Sequence, residues 1–213
     1  KINFDSPYKS GSITEFWRRW HISLSSWLRD YLYISLGGNR RGTVRTYLNL
    51  FITMVLGGLW HGASWLFVIW GAWHGLMLII HKLYRRIFPV AKNYRAGLFR
   101  HFLNVLLTFH VVAAGWIFFR APSLDIAGQI LTQIFTNFRP EAIPAFVSGY
   151  AVIFVALVAG YLLHFAPHRW SQWLQRELSW SPLVVKAAIL ALVLFFVLQV
   201  RSSELVPFIY SQF

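Results

Sequence analysis

The sequence predicts an all-α fold, a multi-pass transmembrane helical bundle with an interfacial amphipathic helix and a re-entrant or broken helical hairpin. Three observations lead there. The chain is 57% hydrophobic and 18% aromatic but only 13% charged, about half the charge of an ordinary soluble domain. Its cations are grouped between four or five uncharged stretches, each approaching the ~20 residues that a bilayer crossing needs. The stretch 46–81 holds no Asp, Glu, Lys or Arg, yet carries Trp-His-Gly at 60–62 and again at 73–75. A histidine in such a run is an ionisable group where the solvent is lipid, which marks it as a functional candidate.

The elements follow in chain order. Ser12-Ile13-Thr14-Glu15 has the form of a capping box and opens a helix. From there Phe16, Trp17, Trp20, Leu24, Trp27, Leu28 and Tyr31 recur at helical spacing, opposite Glu15, Arg18, Arg19, Ser26, Arg29 and Asp30. That pattern predicts an amphipathic helix over 12–36 lying in the membrane interface. Gly37-Gly38-Asn39 ends it, and Arg40, Arg41 and Arg45 make a basic loop. The uncharged run 46–81 has 36 residues, roughly 54 Å as one straight helix against a bilayer core of about 30 Å. One span is too little and two are too many. With Gly57, Gly58 and Gly62 interrupting it, the run predicts a broken or re-entrant hairpin with His61 near the turn, beside protein or a water-filled cavity.

Lys82, Arg85, Arg86, Lys92, Arg95 and Arg100 then form an acid-free basic loop, the strongest cytoplasmic marker. Transmembrane helices are predicted over 101–119, 145–166 and 184–200. Pro122, Pro140 and Pro144 stand in a loop of mixed charge between the first two, and Arg169, Arg176 and Lys186 flank the Trp-rich connection before the last. The tail Pro207–Phe213 is aromatic, as expected near an interface.

The net charge of +13 does not indicate nucleic acid, because the cations sit between hydrophobic spans and fit anionic headgroups of membrane lipid instead. With no cysteine, the segment carries no disulfide framework, thiolate metal site or Cys nucleophile. No bound cofactor is expected. Metal binding is not expected either, since no two histidines stand at i, i+4 with a carboxylate nearby. Lys1–Lys9 is polar and lacks the apolar core of a signal peptide. The absence of an initiator Met leads to the expectation that the sequence starts inside a longer protein.

The histidines divide by setting. His61, between Gly58 and Gly62, admits two readings: a packing histidine bonded to a backbone carbonyl, or a neutral imidazole that takes a proton from a hydroxyl in acyl transfer. His74, beside Gly71 and Gly75, reads as helix packing, and His81 as an interfacial group next to Lys82. His101, His110, His164 and His168 have no partner at ligand spacing. His21 lies at the edge of the aromatic face. Its neighbours Arg18 and Arg19 are suited to an anionic donor or headgroup, and equally to snorkelling.

Several blocks resemble a known family. Phe16-Trp17-Arg18-Arg19-Trp20-His21-Ile22-Ser23-Leu24, Arg29-Asp30-Tyr31-Leu32-Tyr33, Gly37-Gly38-Asn39-Arg40 and Leu56-Gly57-Gly58-Leu59-Trp60-His61-Gly62-Ala63 are similar to the membrane-bound O-acyltransferase family, in its bacterial alginate O-acetyltransferase branch. Trp70-Gly71-Ala72-Trp73-His74-Gly75, Phe118-Phe119-Arg120-Ala121 and Pro207-Phe208-Ile209-Tyr210 resemble later landmarks of that branch, with Ser211 where an aromatic is more usual. Members are about twice as long, so the resemblance implies a C-terminal half of such a domain over 1–213. The family's catalytic histidine falls on His61 and a second polar position on His21. Arg18, Arg19, Trp60 and Asn39, within the same blocks, are candidate substrate- or donor-binding residues. The resemblance further implies a bacterial inner-membrane, multi-pass O-acetyltransferase. It would take an acyl thioester donor (acetyl-CoA or an acyl carrier) from the cytoplasmic side and act toward an exported polysaccharide acceptor with a periplasmic acetyltransferase partner. D-alanyl transfer to teichoic acid, acetylation of another envelope polymer, and a transporter or pore subunit are the rival readings.

Overall fold

The computed structural model describes residues 2–89 and 97–200, and every regular element among them is helical. Lys92 and Arg95 of the basic loop, and the tail block Pro207–Tyr210 with Ser211, lie outside the described residues. The chain divides into two compact units, Lys1–Phe138 and Arg139–Phe213.

The first unit begins with α1 (Ile13–Arg19). Ser12 Oγ accepts from Glu15 N at 3.2 Å, while the Glu15 carboxylate turns back to Gly11 N at 3.0 Å. Side-chain caps of this kind stabilise a helix start by about 1 kcal/mol. The helix expected to run unbroken over 12–36 is instead interrupted. Trp20 is extended and His21 left-handed (φ 42°) before α2 (Ile22–Trp27), which runs into a π-helical turn over Leu28–Tyr33. The break is fixed by tertiary pairing that periodicity cannot register. Asn3 O accepts from Ile22 N at 2.9 Å, and Asn3 Oδ1 accepts from Ser23 N at 2.9 Å and Ser23 Oγ at 3.0 Å, so the chain N-terminal to α1 caps α2. A non-glycine residue at positive φ costs of order 1–3 kcal/mol and persists only where its surroundings hold it, commonly at functional sites.

The uncharged run forms a helical hairpin, α3 (Thr43–Leu59) and α4 (Trp65–Ile87), longer than the 46–81 expected because both helices continue into the basic flanks. Glycines let the two helices close together. A Cβ on Gly58 would overlap the Phe67 carbonyl, and one on Gly71 the Met54 carbonyl. At 17 residues, α3 is about 26 Å long, short of a bilayer core of about 30 Å. Next comes α5 (Leu98–Arg120), tied to α4 by Trp73 Nε1 donating to Val111 O at 2.8 Å, and then α6 (Leu124–Phe135). The core of this unit is built by Ile13 and Phe16 of α1, Met54 of α3, Leu78 of α4 and Val112 of α5. Among the described residues, α4 and α5 are each long and apolar enough to cross a membrane.

The second unit holds α7 (Ile143–Gly149), α8 (Ala151–Phe165), α9 (His168–Trp180) and α10 (Leu183–Val200). The stretch 145–166 is not one straight helix: the segments Pro140–Gly149 and Ala151–Phe165 meet at 94°. Ser148-Gly149 precede the bend, where weak helix formers allow Tyr150 to leave helical geometry (ψ 32°). The bent pair counts as one further candidate span.

Candidate active site

His61 stands in the turn of the α3–α4 hairpin, its N–H bonded to Gly58 O at 3.0 Å. The turn places the imidazole at 6% exposure among four aromatic rings. Trp60, Trp70 and Phe119 meet it edge to face at 5.0, 5.2 and 5.0 Å between centroids, and Phe67 lies tilted at 6.1 Å. Three of these rings come from the hairpin and Phe119 from the last turn of α5.

His21 reaches the same place from the break between α1 and α2. Asn3 Nδ2 donates to its Nδ1 over 3.5 Å, and its ring lies against Phe4 at 5.8 Å and Trp60 at 6.4 Å. Trp60 therefore touches both histidines. The left-handed backbone at His21 turns the ring out of the α1 helical face, where a continuous helix would have held it.

His74 has a different setting. It is fully buried in α4, stacked on Phe16 at 6.4 Å and edge to face with Trp17 at 5.1 Å and Trp70 at 4.9 Å. Neither ring nitrogen has a hydrogen-bond partner, and a Cβ on Gly115 would come within 2.8 Å of its Nε2. It packs α4 against α1 and α5. Trp70, between the two imidazoles, makes His74 a neighbour of the His61 cage without making it part of it.

A cleft of about 630 Å³ opens beside these rings. Its cations are Arg18, Arg29, Lys82 and Arg85, with His81, Tyr33 and Asn39 at polar positions and Leu28, Leu50, Met54 and Leu78 as apolar floor; no Asp or Glu lines it. Asp30 is drawn aside by Arg29, with Nε–Oδ1 at 2.7 Å and Nη2–Oδ2 at 3.1 Å, and that guanidinium holds its carboxyl below the usual range. Trp17 lines the cleft, contacts Trp70 at 5.8 Å, and Trp70 contacts His61, so the cleft and the imidazole share one aromatic wall.

The sequence-predicted candidates thus separate into groups. His21, Trp60 and His61 come together; Arg18 and Asn39 line the cleft. Arg19 does not: it pairs with Glu15 at 2.9 Å and reaches Asp5 Oδ2 at 3.8 Å, which turns it into a brace for α1. Sequence reasoning missed Phe67, Trp70 and Phe119 of the cage, and Tyr33, Lys82 and Arg85 of the cleft. It also passed over Asn49, a polar residue inside the uncharged run, which was the available signal. Among the described residues, no group of His, Cys, Asp or Glu is disposed to hold a metal.

Fold and site define a membrane-embedded helical protein that holds a buried imidazole beside a cationic, acid-free cleft. The chain belongs to the membrane-bound O-acyltransferase (MBOAT) family, whose pattern matches residues 1–120. It is 56% identical over 134 residues to a probable alginate O-acetylase AlgI of Azotobacter vinelandii, covering 63% of this chain and 26% of that protein. To the probable alginate O-acetylase AlgI of Pseudomonas putida it is 39% identical over 236 residues, covering 99% of this chain and 46% of the relative. It is also 45% identical over 130 residues to a peptidoglycan O-acetyltransferase of Helicobacter pylori, covering 61% and 24% respectively. The chain therefore spans between about a quarter and about half the length of these relatives.

Proposed function

We propose that this chain is the histidine-bearing segment of an inner-membrane O-acetyltransferase that moves acetyl groups from a cytoplasmic thioester donor toward an exported polysaccharide such as alginate. The observation that carries the reading is the pair His21 and His61 meeting on Trp60, with His61 buried in an aromatic cage that shares a wall with the basic cleft. The named activities of the relatives support the polysaccharide acceptor.

In this reading His61 removes the proton of an acceptor hydroxyl. The oxygen bonds to the acyl carbon, the carbon–sulfur bond breaks, and the proton passes from the imidazolium to the departing thiolate. Water-excluding rings around His61 strengthen each electrostatic term of that step. His21 orients the donor or polarises its carbonyl. The cleft takes the anionic arm of the thioester, Arg18, Lys82 and Arg85 matching phosphates and the apolar floor matching the chain that carries the sulfur. A periplasmic acetyltransferase completes the modification.

The test uses membranes carrying the full-length protein, acetyl-CoA labelled in the acetyl group, and extracted polymer. Label on an acceptor is expected; ion or proton flux with no acyl product would instead establish the pore reading, and D-alanyl incorporation the teichoic acid one. Per unit of inserted protein, His21→Ala is expected to lower transfer about 10²-fold, the cost of removing one group that stabilises the transition state. His74→Leu is close to histidine in volume and is expected to stay within about threefold of the parent, since packing swaps of similar volume are tolerated. Equal losses would count against separating the two histidines. Arg18→Gln and Lys82→Gln are each expected to raise the KM for acetyl-CoA roughly threefold to tenfold with kcat little changed, as loss of a charge-assisted contact does. An unchanged KM in both would remove the cleft from the donor path.

A further inference from the structure

Asn49 is a fully buried amide on α3, in the middle of an apolar helix. Its Nδ2 uses both hydrogens outside that helix, donating to Leu36 O and to Gly38 O, each at 3.1 Å. Those carbonyls belong to the turn that follows the π-helical segment. In that turn Gly37 (φ 106°) and Gly38 (φ 53°) are left-handed, while Gly38 N bonds back to Tyr33 O at 2.9 Å. The next residue, Asn39, accepts at Oδ1 from the Tyr33 hydroxyl and from Lys82 Nζ, the latter at 3.1 Å. Tyr33, Asn39 and Lys82 all line the basic cleft. A leucine branches in the same way but has no donor, so it would leave two carbonyls unpaired and the turn free to shift. One amide in the core therefore fixes the backbone from which a wall of the cleft hangs.

We propose that Asn49 is a positioning residue that clamps the Leu36–Gly38 turn, and that through the Tyr33–Asn39–Lys82 wall it sets the affinity for the thioester donor. The proposal rests on the reading of the cleft as the donor site. It assigns a role in binding to a residue that touches neither donor nor acceptor.

The experiment uses the full-length protein in permeabilised membranes with two readouts: kinetics in acetyl-CoA, and the rate of trypsin cleavage after Arg40 and Arg41, which are exposed in the clamped loop. Asn49→Asp keeps the shape and replaces both donors by acceptors; Asn49→Ala avoids burying a carboxylate. Gly38→Val strains the turn from the loop side and leaves α3 untouched, so it serves if the α3 variants fail to accumulate. Each is expected to raise the KM for acetyl-CoA about tenfold, to keep kcat per inserted protein within about twofold, and to speed cleavage at Arg40–Arg41, with saturating acetyl-CoA restoring protection. A fall in kcat with KM unchanged would make Asn49 merely structural and overturn the proposal, as would an unchanged cleavage rate. If Arg18→Gln and Lys82→Gln raise KM and the Asn49 and Gly38 variants do not, the clamp fails while the donor site stands. If none of them moves KM although cleavage accelerates, it is the donor reading that fails, and the link to affinity with it.

Discussion

Replacing His61 by glutamine in the full-length protein is expected to lower acetyl transfer by about 10²-fold or more, the usual contribution of a general base, at unchanged protein level and membrane insertion. Glutamine is the informative choice because the site is closed. At 6% exposure, with rings on four sides, an alanine would also open a void and add a packing penalty to any chemical one. Glutamine keeps polarity and most of the volume but accepts no proton near neutral pH. Polymer acetylation per inserted protein is the measurement, and wild-type acetylation in His61→Gln would sink the catalytic assignment. His61→Ala is expected to show the same chemical loss together with lower yield.

The second large effect is structural. Gly58→Ala is expected to abolish the folded hairpin, because the new Cβ would overlap the Phe67 carbonyl, an atom of the α4 backbone that has no rotamer by which to move away. Overpacking a tight core costs typically 1–3 kcal/mol and more where backbone must shift, and here the shift separates α3 from α4 at the turn that holds His61. The measurement is the amount of detergent-extracted, protease-resistant protein, expected to fall about tenfold or more. Gly128→Ala is the control: nothing lies near its added Cβ, and it replaces a helical glycine by the strongest helix former, so its yield is expected to hold or rise. Parent-level yield of Gly58→Ala would show that the helices are less closely packed than the structure has them.

How much of this was legible in the chain depends on the kind of interaction. The capping box at Ser12, the uncharged run and the cationic flanks are local properties, and local geometry follows them. The hairpin was legible because its length disagreed with the bilayer and glycines marked where it turns. The break at His21 was not: Phe16, Trp17, Trp20, Leu24 and Trp27 keep helical spacing across it, and its cause is Asn3, 18 and more positions away in the chain. Arg18 and Arg19 look equivalent in sequence, yet Arg18 lines the cleft while Glu15 and Asp5 draw Arg19 away. The two Trp-His-Gly triplets are likewise indistinguishable as strings. His61 falls on a turn and His74 one helix deeper, so one imidazole joins the cage beside His21 and the other packs three helices together.

By itself the sequence determined the helical class and the membrane character and supplied the candidate histidines and cations, because hydropathy, charge grouping and residue type are properties of short stretches of chain. Only the tertiary structure decided which of those residues meet. The distance between His21 and His61, the company Arg19 keeps and the clamp by Asn49 all depend on pairings between segments far apart in sequence, where glycine contacts and single hydrogen bonds select one arrangement among many of similar hydrophobicity.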